Sequence, residues 1–205
     1  MSDYDWLDAI VYINLDRRKD RLEHIQRELQ DLSGFPPEKI HRQPGFDEHM
    51  AGCLRSHKAV IEMARDRGWK NVLVLEDDFT WYDNADDAMQ ILKQFWEQHQ
   101  HEFGFVQLAH MGLAKVGQPK MIEPGVFQVS SATNGAGYLV HSRAYASLIR
   151  VWAAAYMPLA ATRAHWRYMN DVVWNWVRKE FPTYVLVPAL GYQYSNYSDL
   201  AEREV

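Results

Sequence analysis

Apolar residues are distributed along this chain in two distinct patterns. Short unbroken runs, Ala9-Ile10-Val11-Tyr12-Ile13-Asn14-Leu15 and Val72-Leu73-Val74-Leu75, are bounded by polar residues and predict central strands buried on both faces. Between them, apolar positions recur at helical spacing: Leu22, Ile25, Leu29 and Leu32; then Cys53, His57, Val60 and Ala64 with Ile61 alongside; then Met89, Leu92, Phe95 and Trp96. Later helices carry Leu148, Val151 and Trp152, after a cap at Ser142, and Val173, Trp176 and Val177, after Asn170-Asp171. Further extended segments are predicted at Glu38 to Gln43, Phe103 to Leu108, Phe127 to Ser130 and Tyr184 to Val187. Phe79-Thr80-Trp81-Tyr82 reads as an aromatic cap, and Met111 to Gly125, punctuated by Gly and Pro and without period, as a mobile loop. Strands alternate with helices and no repeat or linker interrupts them. The expectation is one α/β domain over residues 1–205, a mostly parallel central sheet flanked by helices.

Composition narrows the partners. The chain has 205 residues, 47% of them hydrophobic, with eight Trp and eleven Tyr, enough to fill one core and line pockets as well. A net charge of −5 with no basic block gives no reason to expect nucleic acid or an anionic membrane as a partner. The one cysteine, Cys53, excludes an intrachain disulfide and a cysteine-cluster zinc site. No apolar run reaches membrane-spanning length, and Met1-Ser2-Asp3-Tyr4-Asp5 lacks an apolar signal core, so a cytoplasmic protein is expected.

The candidate chemistry sits at two strand ends. The second central run ends in Glu76-Asp77-Asp78, three acids that repel one another unless a cation or a set of donors lies among them. Beyond the carboxyl ends of such strands is where an open α/β sheet binds ligands, so a hard cation with an anionic ligand fits there. The plainer alternative is a solvated turn or helix cap. The first run leads into Asp16-Arg17-Arg18-Lys19-Asp20-Arg21 at the start of a helix. Cations there oppose the helix dipole, whereas an anion would be favoured by both dipole and arginines, so Arg17, Arg18 and Arg21 read as phosphate contacts or else as a solvated first turn. His57, on or beside a buried helix stripe, has the position of an ordinary satisfied core histidine, and Asp171 that of a helix N-cap. Gly135-Ala136-Gly137 allows close backbone approach to a ligand but lacks the third glycine of a dinucleotide loop. No Gly-x-x-x-x-Gly-Lys-Ser/Thr loop accompanies the acids.

Taken together, Ile13 to Arg21, Gly52-Cys53-Leu54-Arg55-Ser56-His57 and Val74-Leu75-Glu76-Asp77-Asp78, followed by Thr133 to Val140, Asn170-Asp171 and Gln193 with Ser198-Asp199-Leu200, resemble glycosyltransferase family 25. That family includes bacterial lipooligosaccharide β-galactosyltransferases and collagen hydroxylysine galactosyltransferases. The resemblance implies a GT-A fold, a UDP-galactose or UDP-glucose donor, Mn²⁺ or Mg²⁺, a glycan or hydroxylysine-type acceptor and inversion at the anomeric carbon. By the same resemblance, Asn14, Arg17, Arg18 and Arg21 belong to the nucleotide end, and Asp78 with Glu76 to the metal. Asp171, or else Asp77, is the catalytic base. His57, Glu76, Asp77, Thr133, Gly135, Tyr138, Gln193 and Asp199 surround the donor. Two departures stand out: Gln107 occupies a position where the family has Asp, and no His follows His165 to serve as an extra ligand. A catalytically silent nucleotide-sugar-binding module and a metal-dependent phosphoesterase are the rival readings.

Overall fold

The computed structural model describes residues 4–194 and, beyond them, the backbone of 197–198 and 203–204. The first half of the chain runs β1 (Ala9–Asn14), α1 (Lys19–Gln30), β2 (Ile40–Pro44), α2 (His49–Asp66), β3 (Asn71–Glu76), β4 (Phe79–Trp81), α3 (Ala85–His99) and β5 (Phe105–Gln107). The second half runs β6 (Lys120–Glu123), β7 (Val126–Gln128), β8 (Gly137–His141), α4 (Tyr145–Thr162), α5 (His165–Tyr168), α6 (Asn170–Val173), β9 (Thr183–Leu186) and β10 (Gly191–Gln193).

The unbroken apolar runs are explained by what covers each face of the sheet. Successive strand residues point to opposite faces, so Ile10, Tyr12, Leu73 and Leu75 pack with Ile25, Leu29, Met89, Leu92 and Phe95 of α1 and α3. Ala9, Val11, Val72 and Val74 face the other way, against Leu54, Val60 and Ile61 of α2 and Trp152 of α4. Each large aliphatic side chain buried in this way contributes about 1.5–3 kcal/mol, and the buried polar residues of the central strands, Asn14, Asn71, Gln107 and Thr183, are confined to strand ends.

The strands lie in the order β2-β1-β3-β8-β5-β9-β7-β6. β2, β1 and β3 are mutually parallel, β8 is antiparallel to both β3 and β5, β9 runs parallel to β5, and the β7–β6 hairpin closes the far edge. Thus β2, β1, β3, β5, β9 and β6 point one way, opposed by β8 and β7. Among the described residues, no helix is long and apolar enough to cross a membrane.

Several elements differ from the sequence expectation. Part of the supposed mobile loop Met111 to Gly125 is ordered as a 3-10 turn at Leu113–Lys115 and as β6; the exposed side chains of β6 carry no alternation to reveal it. Phe79–Trp81 is a strand paired antiparallel with β10, not merely a cap. The start of α4 is preceded by a 3-10 turn at Ser142–Ala144, capped by His141 Nδ1, which accepts from the Arg143 amide at 3.1 Å, so Ser142 is not the cap. The last predicted helix is short, α6 followed by a 3-10 turn at Trp174–Val177.

Gly52 lies in the first turns of α2 where the 46–48 loop crosses it, and an added Cβ would overlap the Phe46 carbonyl oxygen. Ser56 Oγ ties the same two elements, donating to the Gly52 carbonyl at 2.7 Å and accepting from the Phe46 amide at 2.9 Å. Backbone cannot yield as a side chain does. Gly52→Ala is therefore expected to cost about 1–3 kcal/mol, read as a lower urea midpoint at unchanged slope; an unshifted midpoint would show that the loop moves freely.

Candidate functional site

β1 and β3 are parallel neighbours in a register that pairs Ile13 with Glu76, so the chain leaves both at the same edge of the sheet. That register brings Asn14 and Asp77 together: Asn14 Nδ2 donates to Asp77 Oδ2 at 2.8 Å, and Arg42 donates to Asn14 Oδ1 at 3.0 Å from the adjacent strand. From the first turn of α1, Arg21 Nη1 reaches back to Asp77 Oδ1 at 3.1 Å and Asp78 Oδ2 at 2.9 Å. The β4–β10 pairing places Gln193, whose Nε2 donates to Asp78 Oδ2 at 3.1 Å. Asp78 Oδ1, by contrast, is buried and has no hydrogen-bond partner among the described residues. Burial, reinforced by Glu76, pushes the Asp78 carboxyl up to about 7. Burial also raises Asp77, opposed by Arg21 and Asn14.

The other two arginines are paired locally. Arg17 Nε bonds Asp47 Oδ2 at 2.8 Å, and Arg18 Nη2 bonds Asp20 Oδ2 at 2.7 Å, which holds the Asp20 carboxyl down at about 2. Arg17 and Asp47 are both exposed, and ion pairs of that kind are worth only about 0–1 kcal/mol, so an incoming anion displaces them at little cost.

On the other side of the acids, Glu76 Oε1 lies 2.8 Å from His57 Nε2, and His57 Nδ1 lies 3.0 Å from the Tyr138 hydroxyl. His57 is thus buried and hydrogen-bonded, as a core histidine should be, and it also faces the cavity. Cys53, one helical turn before it, completes a group in which thiol, imidazole and carboxylate atoms lie within 4.8 Å of one another, a ligand set of metal-binding type. Gly135 is packed against this group: a Cβ there would lie 2.9 Å from Asn170 Nδ2 and 3.1 Å from Glu76 Oε1.

Asp171 is not an N-cap, because Met169 precedes α6; instead its Oδ2 accepts from the Asn134 amide at 2.8 Å. Burial raises its carboxyl, and Glu76 adds to the rise. Asn134 has φ +88° and folds its own Oδ1 onto the Ala136 amide at 2.9 Å. Gln107 holds the same loop by donating to the carbonyls of Thr133 at 3.1 Å and Asn134 at 2.9 Å, while its Oε1 accepts from buried Arg178 at 2.7 Å. An aspartate at position 107 has no N–H for those carbonyls, which accounts for the amide there. Among the described residues, Arg178 has no carboxylate as a hydrogen-bond acceptor; it bonds Thr183 Oγ1 and Asn175 Oδ1 and stacks over Phe105 at 4.7 Å, and burial lowers its pKa to about 9.

A cavity of about 270 Å³ opens over this arrangement, lined by Arg17, Arg18, Arg21, His57, Glu76, Asp77, Asp78 and Gln193, with Phe46, Asp47 and His49 on its rim. Asn14 and Tyr138 stand behind the lining as supports, and Gly135 touches it from the side. Thr133 is exposed, is not on the cavity wall, and contributes its carbonyl to Gln107. Asp199 lies outside the described residues. Sequence reasoning assigns no site role to Asn170, Gln107 or Arg178: Asn170 enters only as the neighbour of Asp171 in a matched segment and Gln107 only as a departure from the family, while Arg178 carries no motif signal.

No protein-family model matches the chain, and no curated protein sequence does. Solved structures do. A glycosyltransferase involved in the glycosylation of the major capsid of PBCV-1 is 13% identical, with a TM-score of 0.56 over 96% of this chain and 96% of that one. A197 from STIV is 12% identical, at 0.52 over 96% and 92%. A mannose-1-phosphate geranyltransferase from Thermus thermophilus is 14% identical, at 0.51 over 95% and 76%. At these identities the likeness is one of fold, and the fold is GT-A-like: a large, mostly parallel sheet flanked by helices.

Proposed function

We propose that the protein is an inverting hexosyltransferase of the family 25 kind, moving galactose or glucose from a UDP-sugar to a hydroxyl of a glycan or hydroxylysine-type acceptor. The observation that carries this reading is the unpartnered, buried Oδ1 of Asp78, just past the end of β3, in a residue that lines a cavity together with Arg17, Arg18 and Arg21. An isolated carboxylate oxygen among other acids is costly, and a divalent cation is the group that makes it favourable. Asp78, with Glu76 beside it, suits Mn²⁺ or Mg²⁺, which when bound neutralises diphosphate charge.

The rest of the chemistry falls to the chain's own side chains. In a single displacement the acceptor oxygen bonds to the anomeric carbon as the bond from that carbon to the diphosphate oxygen breaks, and UDP departs with the electron pair. Arg17, Arg18 and Arg21 stabilise the charge accumulating on that leaving group. Asp171 takes the acceptor proton, and its raised carboxyl is tuned toward that role. Asp77 is a poorer base, since Asn14 and Arg21 occupy both its oxygens; it positions Arg21.

The test is UDP release from a panel of UDP-sugars, with Mn²⁺ or with EDTA. Metal-dependent release from UDP-galactose or UDP-glucose, faster with a glycan acceptor, is the expected result. No release and no binding of any UDP-sugar would overturn the proposal, whereas release of inorganic phosphate would point to phosphoester hydrolysis.

A further inference from the structure

We propose that Cys53, His57 and Glu76 form a second cation site, one that takes a borderline-soft divalent ion, Zn²⁺ or Co²⁺, in preference to Mn²⁺. The inference concerns the inner wall of the same cavity but does not depend on the transferase reading.

Cys53 and His57 are four residues apart on α2 and so project from one face of it, and the packing of that face on the sheet brings them to the end of β3. Their ligand atoms and a carboxylate oxygen of Glu76 lie within 4.8 Å of one another. Tetrahedral zinc, with bonds of about 2.0–2.3 Å, needs its ligands roughly 3.5 Å apart. To reach that spacing the 2.8 Å His57–Glu76 pair parts, the wider pairs close, and Cys53 Sγ gives up its 3.5 Å contact with Asn170 Oδ1.

The surroundings are those of a metal site as well. His57 Nδ1 is held by the Tyr138 hydroxyl at 3.0 Å, the outer hydrogen bond that fixes the ring of a ligating histidine and leaves Nε2 for the ion. Asn170, only 2% exposed, has a buried Nδ2 without a hydrogen-bond partner among the described residues. That amide borders the space left by the missing side chain of Gly135, 2.9 Å from where a Cβ would stand, and Glu76 Oε1 lies 3.1 Å from the same point. A water or anion held by the ion would satisfy it. Three protein ligands with a fourth position turned to a cavity make an open site, and thiolate with imidazole selects softer ions than the carboxylates of Asp78 and Glu76 alone do, Glu76 being common to both sites. On binding, the thiol gives its proton to solvent and no electron is transferred.

The experiment is titration of the full chain with Co²⁺, followed by displacement with Zn²⁺ and X-ray absorption at the zinc edge. The expected result is a near-ultraviolet thiolate-to-cobalt charge-transfer band, lost in Cys53→Ser and kept in Asp78→Ala, with one sulfur at about 2.3 Å from zinc. The chain has one cysteine, so the wild-type zinc spectrum decides the matter even if Cys53→Ser folds poorly. A weak octahedral cobalt spectrum, or zinc surrounded by oxygen and nitrogen alone, would overturn the proposal. A thiolate band in a protein that neither binds nor cleaves UDP-sugars would uphold this site while removing the transferase reading.

Discussion

Asp78→Ala is expected to lower metal-dependent UDP release by about 10²–10³-fold, the scale of losing one aimed electrostatic group in a water-poor site. Truncation removes the unpartnered oxygen and also the oxygen that receives Arg21 and Gln193. Arg21 keeps Asp77, so the loop has reason to remain folded. The loss is therefore expected in turnover and in metal dependence rather than in folding, and an Mn²⁺ titration of the variant should no longer change the rate. A stability measurement separates this from simple damage. The folded Asp78 carboxyl is raised to about 7, above its ordinary range, so near neutrality the native state holds a proton that the unfolded chain has released. The stability this gives is complete at low pH and is lost as pH rises through the folded value of about 7. Without divalent cation, Asp78→Asn should therefore melt above wild type at about pH 8, with the gap closing toward about pH 4. An inactive Asp78→Asn that is also less stable at every pH would mean that the carboxylate serves the fold rather than a ligand.

Asp171→Asn is the second large effect, an expected fall of about 10²–10⁴-fold in kcat with little change in KM for the donor. The amide oxygen can still accept from the Asn134 amide, so the loop that Gln107 also holds stays in place, while the group can no longer take a proton. Equal losses in donor binding and turnover would make Asp171 a loop anchor. Slow donor hydrolysis, in which water replaces the acceptor, should fall in parallel with transfer.

Much of the sheet is legible in the sequence. The unbroken runs of β1 and β3 mark buried parallel strands because both faces of the sheet are covered, and the acids after Leu75 stand out because packing has no use for them. Cys53 and His57 are visible as one helix face. Arg21 reads as a phosphate contact from its place in a helix start, but only the fold reveals that its guanidinium is shared by Asp77 and Asp78, far along the chain. β8 is hidden for a different reason: its Gly137 is small because Phe79 packs over it, so the segment reads as a ligand approach when it is also a central strand. β6 is hidden because an edge strand with exposed side chains leaves no alternation in the sequence. The support from Arg178 through Gln107 to the 133–134 loop joins single polar residues far apart in the chain, and no spacing rule reaches across such gaps.

The short β4–β10 ribbon has a consequence for the order in which the molecule comes together. It joins residues near 80 to residues near 192, and the amide that steadies Asp78 arrives only with the last of these. A nascent chain emerging from the ribosome can lay down β1, β2 and β3 early, since all three lie before Asp77. It then carries an acidic strand end lacking its Gln193 cover until a further 115 residues have been made. Those acids thus acquire their Gln193 cover on a sheet whose older half is already in place.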